Sequence, residues 1–258
     1  MRFRPCIDIH NGKVKQIVGG SLQDKGDQAK ENFISDKDAA WYAGLYRKYG
    51  LTGGHVILLN AKESPWYRQT RAQALEALGA YPGGLQVGGG ITPETAPAYL
   101  EAGADKVIVT SYVFQDGQVA EDRLKQMVRQ VTRDRLVLDI SCRRQADRYY
   151  IVTDRWQKFT KVELTVDSLD YFGEYACELL VHAVDVEGRA EGIETAVAEL
   201  LGGWGRLPVT YAGGIHSYED IQCLHALGRG KVDFTIGSAL DIFGGELEFE
   251  KVAAMNIL

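Results

Sequence analysis

Two aspartates each stand near the end of a short apolar run: Asp8 in Cys6-Ile-Asp-Ile9 and Asp139 in Leu136-Val-Leu-Asp-Ile140. A carboxylate set into a buried strand is costly unless it is paired or sits at the strand's end. Two such groups can divide proton-transfer work, one accepting and one donating, when their surroundings push their pKa values apart. Asp185 and Glu187, in His182-Ala-Val-Asp-Val-Glu-Gly188, end a third run and are further candidates for the same work. His182 lies within that apolar run and reads more readily as a satisfied core histidine than as a catalyst. Each aspartate taken alone also has a plain alternative, a loop cap or an ion pair with a nearby lysine.

The second chemical signature is glycine. It makes up 29 of 258 residues, about 11% against an ordinary value near 7%. Fifteen of these fall in doublets or a triplet, at 19–20, 53–54, 83–84, 88–90, 202–203, 213–214 and 244–245. Gln86-Val-Gly-Gly-Gly-Ile91 recurs as Thr210-Tyr-Ala-Gly-Gly-Ile215, with Gly89–Gly90 and Gly213–Gly214 124 residues apart. Lys106-Val-Ile-Val-Thr-Ser111 recurs as Asp233-Phe-Thr-Ile-Gly-Ser238, the serines 127 apart, and Asp8 and Asp139 are 131 apart. Landmarks at nearly half the chain length indicate two similar halves. A Gly-Gly turn after a strand lets backbone N–H groups approach an anion, and the following helix N-terminus adds its dipole. Gly89, Gly90, Thr110 and Ser111 therefore predict one phosphate seat, and Gly213, Gly214, Gly237 and Ser238 a second. Arg143 could neutralise a phosphate or, like Arg144, simply be solvated. Trp156 could stack on a planar ring or fill a hairpin core. The doublets at 53–54, 83–84 and 202–203 read as ordinary turns before strands.

These residues need a frame that brings strand ends together. Strand candidates are Phe3–Ile9, His55–Leu59, Leu85–Val87, Lys106–Thr110, Arg135–Ile140, Glu178–Val184, Pro208–Tyr211 and Val232–Ile236. Most lack alternating polarity, as strands buried on both faces do. Helix candidates lie between them: 35–49, 65–78, 92–102 (capped by Thr92, with Pro93 at its first position), 120–131, 168–175, 193–201, 217–227 and 247–255. This alternation predicts an α/β fold, a (β/α)₈ TIM barrel of two (β/α)₄ halves. It forms one domain over 1–258, with the half-barrel boundary near 131–134. In such a barrel strands 1 and 5 face each other midway between strands 3–4 and 7–8. A bisphosphate spanning the mouth would present its middle to Asp8 and Asp139. Two longer segments, a polar 11–32 and a hairpin-like 143–160, would project from that same catalytic face.

The formal net charge of −6 argues against nucleic acid or an anionic membrane as a main partner. No apolar run reaches the length of a membrane helix. The N-terminal residues run straight into strand-like sequence, so the expected location is cytoplasmic. The four cysteines, Cys6, Cys142, Cys177 and Cys223, have no metal-site or disulfide spacing and read as reduced core residues. That spacing predicts no zinc site, and the glycine motifs predict a small-molecule bisphosphate as the partner.

Six motifs in order carry a family resemblance over essentially the whole chain: the stretch from Cys6-Ile-Asp-Ile-His-Asn-Gly to Gly20, Gln86-Val-Gly-Gly-Gly-Ile91, Val137-Leu-Asp-Ile-Ser-Cys-Arg143, His182-Ala-Val-Asp-Val-Glu-Gly188, Tyr211-Ala-Gly-Gly214 and Gly237-Ser-Ala-Leu-Asp-Ile-Phe-Gly-Gly245. Together they resemble the phosphoribosylformimino-aminoimidazole carboxamide ribotide isomerases of histidine biosynthesis, in their eukaryotic-type branch. The resemblance implies an Amadori rearrangement of an aminoaldose to an aminoketose without cofactor or metal. It also implies that Asp8 is the proton acceptor, Asp139 the proton donor and the glycine motifs the two phosphate sites. The stretch after strand 6 is shorter than in bacterial members, which leaves the acid role open among Asp139, Asp185 and Glu187. Gln16 stands where those members carry a loop-1 arginine, so clamping there would rest on Lys15 or on backbone. Monomeric function is expected.

Two other readings fit parts of the pattern. The sister cyclase of the same pathway shares the duplicated barrel and the Pro5-Cys-Ile-Asp8 start, but the stretches after strands 4, 5 and 8 follow the isomerase pattern. A non-enzymatic phosphosugar sensor would not need both strand-end carboxylates, and both are present.

Overall fold

Apolar runs without alternating polarity are stable as parallel strands only when side chains cover both faces, and that requirement organises the chain. The computed structural model describes residues 1–18, 21–22, 27–188 and 192–255, so the Gly19–Gly20 doublet lies outside the described residues. Its first half runs β1 (Cys6–His10), β2 (Lys13–Ile17), β3 (Glu31–Ile34), α1 (Ala39–Lys48), β4 (Gly54–Leu58), α2 (Tyr67–Ala80), β5 (Leu85–Gly88), α3 (Ala96–Glu101), β6 (Lys106–Val109), β7 (Phe114–Gln115), β8 (Gln118–Val119) and α4 (Glu121–Val131). Its second half runs β9 (Leu136–Asp139), β10 (Cys142–Gln145), β11 (Arg148–Thr153), β12 (Lys158–Glu163), α5 (Val166–Tyr175), β13 (Glu178–His182), α6 (Thr195–Trp204), β14 (Val209–Ala212), α7 (Tyr218–Leu227), β15 (Val232–Phe234) and α8 (Phe249–Ala254).

Strands β1, β4, β5, β6, β9, β13, β14 and β15 pair in parallel, in that order around the sheet. The ends meet: Phe3 bridges Phe234 in parallel, the Arg4 N–H donates to the Phe234 carbonyl at 2.7 Å, and the Phe234 N–H donates to the Arg2 carbonyl at 2.9 Å. The sheet is therefore the closed (β/α)₈ barrel expected from the alternation. Side chains alternate across the wall. Ile7, Val56, Val87, Val107 and Leu138 face outward into the helix-packed core, while Ile108, Val137 and Leu180 pack inside the barrel with Ile57. Below that apolar layer lies a buried polar one. Arg4 holds Asp233 through Nε at 2.8 Å, and Gln86 Nε2 donates to Glu178 at 2.9 Å. Lys106 also approaches Glu178, at 3.8 Å. Asp8 and Asp139 stand above the apolar layer, at the C-terminal mouth.

Several expectations differ in detail. The polar 11–32 segment is not a simple loop: β2 and β3 form an antiparallel extension of the barrel sheet, with Ile9 opposite Val14 and Gln16 opposite Phe33. The first helix starts at Ala39, because Asp38 rather than Ser35 caps it, accepting from the Trp41 N–H at 2.7 Å. The helix expected from Thr92 begins at Ala96. Residues 93–95 form a tighter turn in which the Thr92 carbonyl already accepts from the Ala96 N–H. The 143–160 excursion is larger than a short hairpin, a three-stranded sheet of β10, β11 and β12.

The 202–203 doublet is not a turn. Both glycines lie in the last turns of α6, and a Cβ at Gly202 would stand 2.5 Å from the Gly228 Cα. The helices approach closely because that position has no side chain. A Cβ at Gly203 meets nothing within 4 Å. Helix propensity alone favours alanine at both positions by about 1 kcal/mol, so packing should split them. Gly203→Ala is expected to stabilise by up to about 1 kcal/mol, and Gly202→Ala to destabilise by about 1–3 kcal/mol. Chemical denaturation of the two variants measures both signs.

Candidate active site

The barrel mouth opens into two adjoining lobes. The larger, about 600 Å³, is lined by Asp8, Cys6, Gln16, His182 and Glu187, and by Gly213, Gly214, Gly237 and Ser238. The smaller, about 340 Å³, is lined by Gly89, Gly90, Thr92, Thr110, Ser111 and Lys62. Asp139, Trp156, Ile57 and Leu59 line both, so they stand at the divide. The two glycine sets nominated as phosphate seats thus line different lobes, with Asp139 at the divide and Asp8 within the larger lobe.

The seats have one backbone form. Gly89 and Gly90 have φ of 104° and 69°, and Gly213 and Gly214 have 111° and 78°. A Cβ at Gly89 would lie 2.2 Å from the Leu58 carbonyl oxygen, and one at Gly213 would lie 2.5 Å from that of Ala183. Left-handed φ and this close approach both require glycine. In the larger lobe, helix α7 follows with a capping box: Ser217 Oγ accepts from the Asp220 N–H, and Asp220 accepts from the N–H groups of His216 and Ser217. Asp220 thereby uses two amides near the helix start, so the donors left to an anion are those of the glycine turn and of Gly237–Ser238. In the smaller lobe, the Ser111 hydroxyl oxygen accepts from the Asp154 N–H at 2.9 Å. Thr110 donates to Asp139 Oδ2 at 3.0 Å and so serves the carboxylate.

The two aspartates have contrasting surroundings. Asp139 accepts from the Ser141 N–H at 2.8 Å, from the Ser141 hydroxyl and from Thr110. Asp8 receives no hydrogen bond from the described residues. Burial pushes its carboxyl up to about 7, the Glu187 carboxylate pushes the same way, and His182 opposes both. Burial also works against a charge on His182. Glu187, whose Oε2 lies 2.9 Å from His182 Nε2, outweighs that with Asp139 and Asp8, and the imidazole titrates above its ordinary range. Three carboxylates thus draw His182, a buried histidine with an acidic partner, toward its charged form. The Trp156 ring meets its edge at a centroid distance of 4.7 Å. His55, also on the wall, is held neutral: burial, His182 and Arg4 bring it down to about 3.

Asp185 and Arg143 line neither lobe. Arg143 Nε donates to Asp185 Oδ1 at 2.9 Å, the Arg144 N–H donates to Asp185 Oδ2 at 2.7 Å, and the Arg143 guanidinium lies over Phe159. The pair joins the turn after β13 to the β10–β12 sheet. Glu187, two residues on, is the carboxylate of that stretch that reaches the cavity. Gln16, Thr235, His216 and Lys62 also line the lobes and were not nominated as site residues. For Gln16 and Thr235 a signal was present, since each is a polar residue in a short run that ends at the mouth.

The family model described as "Histidine biosynthesis protein" matches residues 2–248. A chloroplastic 1-(5-phosphoribosyl)-5-((5-phosphoribosylamino)methylideneamino)imidazole-4-carboxamide isomerase of Medicago truncatula is 53% identical over 99% of this chain and 82% of its own length. Isomerases of the same name from Neurospora crassa and Saccharomyces cerevisiae are 46% and 41% identical. They cover 95% and 99% of this chain, and 94% and 98% of their own lengths.

Asp8 carries a stability consequence. Its carboxyl titrates near 7 when folded and near 3.8 when free, so the folded state binds the proton more tightly. The group's contribution is fully present below about pH 4 and is lost as pH rises toward 7, at most about 4 kcal/mol. Asp8→Asn removes that loss. Its thermal midpoint is expected to exceed the wild type's at pH 8 by more than at pH 5; an equal difference at both would sink the assignment.

Proposed function

We propose that this chain, which belongs to the histidine biosynthesis protein family, acts through Asp8 and Asp139 as the isomerase whose name its relatives carry. It is an aldose–ketose isomerase, an enzyme of histidine biosynthesis that performs an Amadori rearrangement on a ribotide bearing two phosphates. The observation that supports the residue assignment is that one strand-end carboxylate, Asp139, stands at the divide between two glycine-lined lobes and the other, Asp8, lines the larger of them.

The reaction needs two proton transfers. An acid protonates the ring oxygen of the phosphoribosylamino group, the bond from C1 to that oxygen breaks, and the nitrogen lone pair closes an iminium. A base then removes the C2 proton, giving an enolamine that tautomerises to the aminoketose. Atoms and electrons balance without a redox partner. Asp8 is the base: without a hydrogen bond from the described residues and titrating near 7, it is close to the neutral-pH optimum for accepting a proton. Asp139 is the acid. Two of its three donors are hydroxyls, Thr110 and Ser141, and a hydroxyl can turn and accept when the carboxyl carries the proton. Asp139 thus keeps partners in both states. His182, pulled toward the charged form by Glu187, offsets the negative charge that develops when Asp139 has given up its proton.

Gly89, Gly90 and Ser111 hold one phosphate, and Gly213, Gly214, Gly237 and Ser238 the other. Trp156, at the divide, stacks on the imidazole carboxamide. The Arg143–Asp185 pair fixes the sheet that carries Trp156. The chain works as a single-domain monomer of two half-barrels joined near 131–134, in the cytoplasm, without a nucleic-acid or membrane partner. The acidic net charge supports the last point, and among the described residues no helix is long and apolar enough to cross a membrane.

Asp8→Asn and Asp139→Asn are each expected to lower kcat by roughly 10² or more while the fold is retained; near-normal turnover removes that residue from the mechanism. In the wild type, kcat/KM should rise with pH to a plateau above about 7, the limb belonging to Asp8. A fall through that range would make Asp8 the acid instead. Complementation of isomerase-deficient and cyclase-deficient cells side by side separates the isomerase from the sister cyclase.

A further inference from the structure

We infer that Gln16 and Thr235 bind the hydroxyls of the reacting sugar, between the carbon addressed by Asp8 and the phosphate held at Gly237–Ser238. This rests on the isomerase reading above and adds to it the residues that recognise the sugar.

Gln16 lies on β2 and is 2% exposed, yet its side chain lines the larger lobe. Its Nε2 donates to Cys6 Sγ at 3.8 Å, and the Cys6 thiol donates in turn to the Ile236 carbonyl at 3.6 Å. A thiol sulfur is a weak acceptor. The second amide hydrogen and Oε1 have no hydrogen-bond partner among the described residues. Oε1 rests on Gly237, where a Cβ would stand 2.1 Å away. A side chain at 237 would displace the amide from this place. Thr235 is 6% exposed and lines the same lobe, and among the described residues its buried Oγ1 has only the weakly polar Cys6 thiol beside it. Buried polar groups in folded proteins are nearly always satisfied. Two side chains that lie against one thiol, a weak partner for either, and that line one lobe mark the place of a ligand's polar groups.

The chemistry of the ligand says which groups. Asp8 lines only the larger lobe and Asp139 lines both, so the sugar that reacts between them lies in the larger lobe. In the opened sugar the reacting carbons are C1 and C2, and the phosphate is on C5. C3 and C4, each bearing an oxygen, come between. Cys6 is two residues before Asp8 on the same face of β1, and Thr235 is two residues before Gly237, so Gln16 and Thr235 occupy the same interval in the protein. The Gln16 amide offers a donor and an acceptor together, which suits a hydroxyl that can do both.

The test compares the substrate with its analogue lacking the 3-hydroxyl on the reacting ribose. Wild-type enzyme is expected to favour the substrate by about 10²-fold in kcat/KM. Gln16→Met keeps the bulk and removes the amide. It should narrow that preference to about 5-fold or less by slowing the substrate while leaving the analogue nearly unchanged. Thr235→Val should narrow it in the same direction. A folded Gln16→Met, or if that variant does not fold a folded Thr235→Val, that discriminates as strongly as the wild type overturns the proposal. An equal loss on both compounds does so as well, since a structural defect cannot tell them apart. Failure of the wild type to turn over the substrate would instead overturn the isomerase reading.

Discussion

A carboxylate that receives no hydrogen bond from the described residues, held at the mouth of an apolar barrel, sets the terms for everything around it. Asp8 stands above Ile57, Ile108, Val137 and Leu180, and burial is the largest influence on its titration. Such a group folds without a large penalty only if it is neutral or has a cation near it. His182 stands near it, and Glu187, which lies against that ring, draws it toward the charged form. The chain of dependence runs Asp8 to His182 to Glu187. It explains why an apolar run such as Glu178–His182 ends in a histidine, and why the short turn after it carries an acid. The same burial that makes Asp8 expensive to ionise makes it a competent base near neutrality. Stability and catalysis are therefore opposed at this one atom pair.

The duplicated backbone sets a frame that the two halves use differently. The glycine turns at 89–90 and 213–214 have nearly the same dihedrals, and each brings N–H groups to a lobe. Yet the smaller lobe has Lys62 and Arg155 on its rim, whereas the larger has Gln16, His216 and Glu246. The lobe that contains Asp8 thus relies on neutral amides and hydroxyls. A further fixed cation there would pull the Asp8 pKa down and weaken it as a base. An acidic chain can hold two phosphates because the attraction comes from local donors rather than from net charge.

The barrel was legible in the sequence because buried parallel strands and their intervening helices leave strong patterns, and because Gly89–Gly90 and Gly213–Gly214 mark equivalent places. The 11–32 segment misled because Lys13–Ile17 is a strand one residue pair away from a tight turn at Asn11–Gly12, and its polar composition masked the pairing. The 202–203 doublet misled because glycine signals both a turn and a close helix approach. Only the distance to Gly228 decides between them. Asp185 and Glu187 could not be ranked from sequence. They are two residues apart on a 3₁₀ turn, and which one points inward depends on Arg143, which arrives from another strand. The partners of His182 were hidden for a related reason: an apolar neighbourhood in sequence says nothing of the carboxylates that the barrel brings to it.

The β10–β12 sheet completes the site and shows where strain is held. Asp154, Arg155 and Trp156 all have left-handed φ, between 52° and 67°, and for residues other than glycine this costs roughly 1–2 kcal/mol each. Three such residues in a row persist only when their surroundings fix them. Contacts on both sides of the turn do so. The Asp154 N–H bonds Ser111, and Trp156 packs on Ile17, Leu22 and Leu59 and meets the His182 ring. At the base of the sheet, Asp185 holds both Arg143 and the Arg144 backbone. The strained turn sets a planar ring at the divide between the lobes, where it touches the histidine that governs Asp8. Loosening the Asp185 latch would therefore disturb more than the loop, because the position of Trp156 and the environment of His182 are tied through one contact.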